Sequence, residues 1–370
     1  MIPTKKATHL HWIWISMGII LMILGSLLFT LYGLSLGPLS HEHAAWSSFG
    51  SLLAGFFTLT GTVATIATLL FLNKQNQDQQ KVTNAQIGAM TFEQYINHRK
   101  LFMDRLVELQ ITFESRLTFL NGEKLYTEIF RNNRPTNVEF VVKPIQTQTA
   151  ENLIGRLGEQ LTQLDQMLDK SKWSEEEIAD FVMLLIGLYG NLHYKWESGS
   201  FDGDIFYSEK NTGINIYSIE EFLHRIKTIY NSLLFYTGND HYHGLNKGFS
   251  RYAREALIRF FNGSHRLRDK VTVRKTIPGL EILESLLFSI DMLRDTSGNW
   301  IMPSTYRMLE SALGSRESVE KIRDNQFRKN LVNVGYQEGS AGFTKTGEDK
   351  IIRSDLAHCI DEITKLGSLK

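Results

Sequence analysis

The chain has 370 residues, with 40 Lys and Arg against 40 Asp and Glu, so its formal net charge is zero. That length accommodates two soluble domains beside a membrane anchor. The charge balance excludes a generic polyanion binder and confines any nucleic-acid surface to a local patch. A single cysteine, Cys359, excludes an intrachain disulfide framework and fits a reducing compartment.

No charged residue occurs from Trp12 to Leu36, and none from Ala44 to Leu72. A helix crossing a bilayer needs about 20 such residues. Spans at about 12–34 and 46–72 are therefore expected, inside an anchor covering 1–74. The link from Gly37 to His43 is too short for a domain, which makes the pair a hairpin. Lys5 and Lys6 precede the first run as they would precede a signal peptide. Its apolar core is too long for one, however, and no clean small-x-small site follows, so an uncleaved anchor is expected. Lys74 and Lys81 follow the second run, whereas the link carries only Glu42 and two histidines. By the positive-inside rule both termini are cytoplasmic, with Trp12, Trp14 and Trp46 at the interfaces.

The two runs differ in character. The first is bulky and aliphatic. The second, read at alternating steps of four and three, gives Ser47, Ser51, Ala54, Thr58, Gly61, Thr65 and Thr68. Leu53, Phe56, Phe57, Val63, Leu70 and Phe71 occupy the other side. A small, hydroxylated seam permits close helix approach and hydrogen bonds across the contact. It serves either packing against the first span or self-association, with the seam lining a polar path.

Asn73 to Lys81 is helix-compatible and extends the second run. Residues 75–275 read as a mostly helical domain. Phe92, Tyr95, Ile96, Phe102, Leu106, Leu109, Phe113 and Leu117 recur mostly at helical spacing, and Asn121-Gly122 breaks the pattern. A short helix follows at 124–130. Residues 132–149 are expected as a loop with one strand, and 199–213 as a Gly- and Asp-rich loop. Further helices fall at 151–168, 174–189, 218–234 and 248–261, the second opened by a Ser174/Glu177 capping box.

The last hundred residues, 276–370, read differently. Helices at 280–293, 304–313 and 316–332 surround a strand at 299–302. Then come Gly335-Tyr336, a turn at Gly339 to Gly342, Phe343 to Thr346, and a final helix from Glu348. This order resembles a winged helix-turn-helix. The expected fold class is thus mainly α: a transmembrane hairpin, a cytoplasmic helical domain and a winged helix.

Asp240-His241-Tyr242-His243, with His265, Asp202 and Asp204 elsewhere, is the most metal-like grouping, but no spaced third ligand accompanies it. A hydrogen-bonding loop is the simpler reading, and a membrane-bound hydrolase the sharper one. No Walker A loop, GxSxG elbow or GxGxxG turn occurs. No enzyme activity and no cofactor are expected. His98 lies in an aromatic-rich helix with no evident partner in the sequence. Arg251, Arg254, Arg259, Arg266, Arg268, Lys270, Arg274 and Lys275 form a basic region with Tyr252, Phe260 and Phe261 interleaved, and only Glu255 and Asp269 nearby. Arg316, Lys321, Arg323, Arg328 and Lys329 bias the supposed recognition helix the same way. Such residues neutralise phosphates and stack bases, or they form a solvated face over core aromatics.

Ala45-Trp46-Ser-Ser-Phe-Gly50 opens the small-residue span, and a Gln-rich stretch follows it. Thr91-Phe-Glu-Gln-Tyr-Ile-Asn-His-Arg-Lys-Leu-Phe102 and Gly122-Glu-Lys-Leu-Tyr-Thr-Glu-Ile-Phe130 come next. Over roughly the first 130 residues this order resembles the two-span abortive-infection proteins of bacteria, and most of all the membrane effectors encoded beside retron reverse transcriptases. Ser51 stands after Gly50 where those proteins usually carry Asp. The resemblance implies a phage-defence effector of the bacterial inner membrane. A reverse transcriptase and its RNA-linked DNA would hold it inactive, and on release it would permeabilise the membrane. A membrane-tethered regulator that reads nucleic acid or a protein is the alternative.

Overall fold

The structure, a computed structural model, describes residues 7–36, 41–145, 147, 151–245, 251–263, 267, 269–295, 297–345 and 349–369. Lys5, Lys6, His265, Arg266, Arg268 and the side chains of Trp12 and Trp14 lie outside what is described. Two compact units divide the chain, one covering 1–90 and the other 91–370. Helix dominates, with a small proportion of strand.

The first unit holds α1 (Ala7–Leu36) and most of α2 (His43–Thr112). Both are long and apolar enough to cross a membrane, judged by length and composition. Large apolar side chains are exposed on them, among them Met22, Ile23, Leu34, Phe57 and Leu70. A helix that is apolar all round must be covered by protein or by lipid. The contacts between the two helices run in opposite chain directions. The Tyr32 hydroxyl donates to the Ala45 carbonyl at 3.4 Å. Phe29 and Tyr32 meet Phe49 at 5.9 and 4.8 Å between ring centroids. The Phe56 ring lies over Gly25.

In the second unit the last part of α2 buries His98, Phe102, Leu106 and Leu109, the inner stripe of one amphipathic face. Glu114 and Ser115 then take positive φ, at 55° and 57°, and turn the chain. β1 (Leu117–Phe119) follows, pairing antiparallel with β2 (Tyr194–Trp196). The Asn121 side chain accepts from the Lys124 amide and so starts α3 (Gly122–Ile129). Asn152 does the same for α4 (Leu153–Leu168). The Ser174/Glu177 capping box is present at the head of α5 (Glu175–Asn191). α6 (Ile219–Tyr236) and α7 (Arg251–Asn262) complete the helices before residue 275.

The stretch expected as a loop at 199–213 is instead largely sheet. β3 (Asp204–Tyr207) and β4 (Lys210–Asn215) form a hairpin, and β5 (Val271–Val273) adds to the other side of β3. Ser208 and Glu209 both sit at positive φ, 47° and 66°, as a two-residue hairpin turn of right-handed twist requires. The polar residues that suggest a loop serve the fold: Asp204 accepts from the Phe201 amide, Asn211 and Asn215. The strand expected within 132–149 does not form among the described residues. That stretch contributes only an isolated bridge, Arg134 to Asn137.

The C-terminal part is α8 (Leu280–Met292), α9 (Pro303–Ala312), α10 (Arg316–Lys321), α11 (Asn325–Lys345) and α12 (Lys350–Ser368). Among the described residues no wing forms: those from Gly339 to Lys345, expected as its turn and the start of the strand after it, continue one helix, α11. The glycines read as a turn are packing positions. A Cβ added to Gly335 or Gly339 would lie 2.7 or 2.8 Å from Ile363 or Ile360, and one on Gly342 would lie 3.0 Å from Leu356. At spacings of four and three these glycines share the face of α11 against α12. Glu338, on α11, accepts from the Ser304 and Thr305 amides and caps α9.

The expected division at 275/276 falls inside this unit. Lys275 pairs with Glu284 at 2.6 Å, and Asp202 accepts from Thr276 and Arg323. Cys359 is fully buried, and burial pushes its thiol up to about 12.

Candidate functional site

All seven seam residues of α2, from Ser47 to Thr68, are exposed. The partly buried positions of this stretch are Phe49, Leu53, Phe56, Thr60 and Ala67, the bulky ones at its start, and Phe49 and Phe56 meet α1. α1 therefore packs on the large side of α2, and the small seam is turned away from it. Ser51, Thr58 and Thr65 donate to the carbonyls four residues back, at 3.0, 2.8 and 2.8 Å. Thr68 donates to Ala64 at 2.8 Å. Each of these four hydroxyl protons is thus satisfied within the helix, which lowers the cost of facing hydrocarbon and leaves oxygen lone pairs for a neighbour.

In the second unit, the two segments that carry the family resemblance pack on each other. His98 is buried, with Nδ1 3.0 Å from the Tyr126 hydroxyl. Tyr126 accepts from Asn133 at 3.3 Å, which leaves its own proton for His98. Rings of Phe130, Phe140 and Tyr236 stand 4.7, 5.2 and 5.0 Å from the imidazole. Arg99 binds Glu123 beside them. Sequence reading finds no partner for His98 because Tyr126 and Tyr236 lie 28 and 138 residues away; the aromatic spacing of the helix was the available signal.

Burial lowers the His98 pKa from 6.5. The folded state holds the ring neutral, while the unfolded chain takes up a proton below that value. Stability is therefore present above pH 6.5 and is lost as the pH falls toward the folded value. The thermal midpoint of the full chain in detergent should drop between about pH 7.5 and about pH 5.5, and His98→Gln should flatten that slope. An unchanged slope in the variant would assign the pH dependence elsewhere.

A second buried network joins sheet and helices. Glu284 has no exposed surface; it accepts from the Tyr217 hydroxyl and from Lys275 Nζ, which also binds Asn262. Burial raises the pKa of Glu284 and, more strongly, that of Tyr217. Asp202 is buried and accepts from Arg323 and the Thr276 hydroxyl.

These contacts change the reading of the basic residues. Arg251 binds Glu255, Asp291 and Glu310. Arg254 approaches Glu220 at 3.9 Å. Arg316 binds Glu221 and Glu317, and Arg323 binds Asp202 and Glu320. Lys275 is held in the core. Arg259 lies over the Phe288 ring, and Phe260 is buried with Phe261 half-buried beside it. Arg328 donates to Asn325. Lys270, Arg274 and Lys329 are exposed. Acids distant in sequence thus neutralise much of the supposed patch, and two of its three aromatics belong to the core.

Among the described residues no group of three His, Cys, Asp or Glu side chains is placed to hold a metal ion. The loop carrying Asp240, His241 and His243 is fixed by Tyr242, whose amide donates to Asn231 and whose hydroxyl donates to Leu161. Comparison with protein-family models, with curated proteins and with solved structures finds no match for this chain.

Proposed function

We propose that this chain is a bacterial antiphage effector that permeabilises the inner membrane when a restraining reverse transcriptase and its RNA-linked DNA release it. α1 and α2 cross the bilayer as a hairpin with both termini cytoplasmic. Copies associate through the α2 seam, and the unit at 91–370 permits or blocks that association. The observation carrying this reading is the exposed seam, set away from the bulky face that meets α1. Two helices cannot enclose a pore, so toxicity requires several copies.

The rest of the reading comes from the family resemblance, and the contact of its two segments through His98 and Tyr126 is consistent with it. Acid pairing of the arginines favours a protein-facing surface over one for bare phosphate. This weakens the nucleic-acid form of the tethered-regulator alternative.

The test is propidium iodide uptake and membrane potential in cells expressing the full chain without its genomic neighbours. Rapid depolarisation is expected. Intact membranes, with the protein present in the membrane fraction and phage infection in progress, would overturn the effector reading in favour of a tethered regulator.

A further inference from the structure

Past the apolar run, α2 continues for some twenty residues in an unusual state. Every residue from Leu72 to Met90 is exposed. The stretch includes Asn73, Asn76, Thr83, Asn84 and Gly88, none of them a strong helix former. Its one ion pair, Lys81 to Asp78 at 3.4 Å, is exposed and contributes little. Helices in proteins owe most of their stability to packing of one face. A helix of this composition with no buried side chain therefore needs a partner outside the chain.

The seam supplies the face. Continued in the same phase beyond Thr68, the alternation of four and three falls on Leu72, Gln75, Gln79, Val82, Gln86 and Ala89. That is the a/d period of a left-handed coiled coil. Lys74, Asp78 and Lys81 fall off it. The next position in phase is Glu93, the first charge since Ser47. In a parallel, in-register assembly each seam residue faces its own copy, so a charge would face its like. A seam uncharged from Ser47 to Ala89 is complementary to itself, and neutral glutamines can hydrogen-bond across it.

We propose that α2 pairs, in parallel and in register, with α2 of a second copy of this chain along a heptad seam running unbroken from Ser47 to Ala89. The parallel sense rests on the membrane reading, since copies inserted with one topology can meet only that way. The bulky face that meets α1 stays free of this contact.

Single cysteines placed in the full chain test it in membranes of expressing cells, with copper–phenanthroline oxidation. Parallel seam positions bring like residues within disulfide reach. The wild type, whose only thiol is buried, is the blank. Gln75→Cys and Val82→Cys should give covalent dimer, whereas Gln77→Cys and Gln80→Cys, on other faces of the same turns, should not. Equal cross-linking at all four positions, or none at any, would overturn the proposal. Membrane potential measured on the same cells separates the two claims. Seam-specific dimer with membranes that stay intact even during phage infection leaves the coil standing and removes the effector reading. Depolarisation without seam preference removes the coil alone.

Discussion

Gly61→Leu should leave the protein in the membrane fraction and abolish depolarisation of the cells that express it. Within one chain the substitution meets no obstacle, because a Cβ at Gly61 has nothing within 4 Å. Leucine is also the better helix former, by up to about 1 kcal/mol. Any loss of activity therefore reports a contact that one copy does not contain. Close approach of two small seams is worth about 1–2 kcal/mol per favourable polar contact in model helices, and every tenfold change in an association constant is about 1.4 kcal/mol. A bulky residue in the middle of the seam separates the helices over several turns, so the expected drop in propidium-positive cells is at least about tenfold. Ala54→Leu should behave alike. Ile66→Leu, on an exposed position off the seam, should kill as the wild type does. Undiminished killing by Gly61→Leu would sink the seam as the basis of toxicity.

Lys275→Met should destabilise the second unit by about 3–5 kcal/mol, since it strands a buried carboxylate. Glu284 is wholly buried, and Lys275 is its cationic partner at 2.6 Å. A midpoint lower on the order of 10 °C is expected for the full chain in detergent, followed by tryptophan fluorescence. The pH dependence gives the cause. Burial raises the folded pKa of Glu284 above its unfolded value of 4.5, so its contribution is most favourable below that value and declines as pH rises through the folded value. Without Lys275 the carboxyl rises further, and the defect should deepen toward neutral pH. Adding Glu284→Leu should restore most of the loss, because a buried ion pair replaced by apolar side chains is often close to neutral. If the double variant is no better than the single one, the stranded charge is not the cause.

What the sequence disclosed depended on how far each residue's partner lay along the chain. The Ser174/Glu177 box, Asn121 and Asn152 act within three residues and mark helix starts. The apolar runs of α1 and α2 are equally local. Errors came where a residue serves a distant partner. Asp204 and Asn211 look like loop residues until they are seen to satisfy one another inside a hairpin. Arg251 and Arg254 look like a phosphate surface until Asp291, Glu310 and Glu220 arrive from other helices. Gly335, Gly339 and Gly342 look like a wing because glycine breaks helices on its own, whereas here Ile363, Ile360 and Leu356 fill the space beside them. Of the candidate site, the spacing of the α2 seam was legible. Which side of it α1 covers was not, since both faces are uncharged.

Those same glycines have a consequence for how the C-terminal end comes apart. Each costs about 1 kcal/mol of helix propensity relative to alanine, and what offsets that cost lies on α12 and, beside Gly339 and Gly342, also on Met302 and Ile301 just ahead of α9. α11 and α12 therefore belong to one cooperative opening unit. Because Glu338 caps α9 from α11, fraying that begins at the chain's end is transmitted to the start of α9. A truncation or bulky fusion at the C-terminus would then disturb residues near 303 before it disturbed anything closer in sequence to α3 or α4.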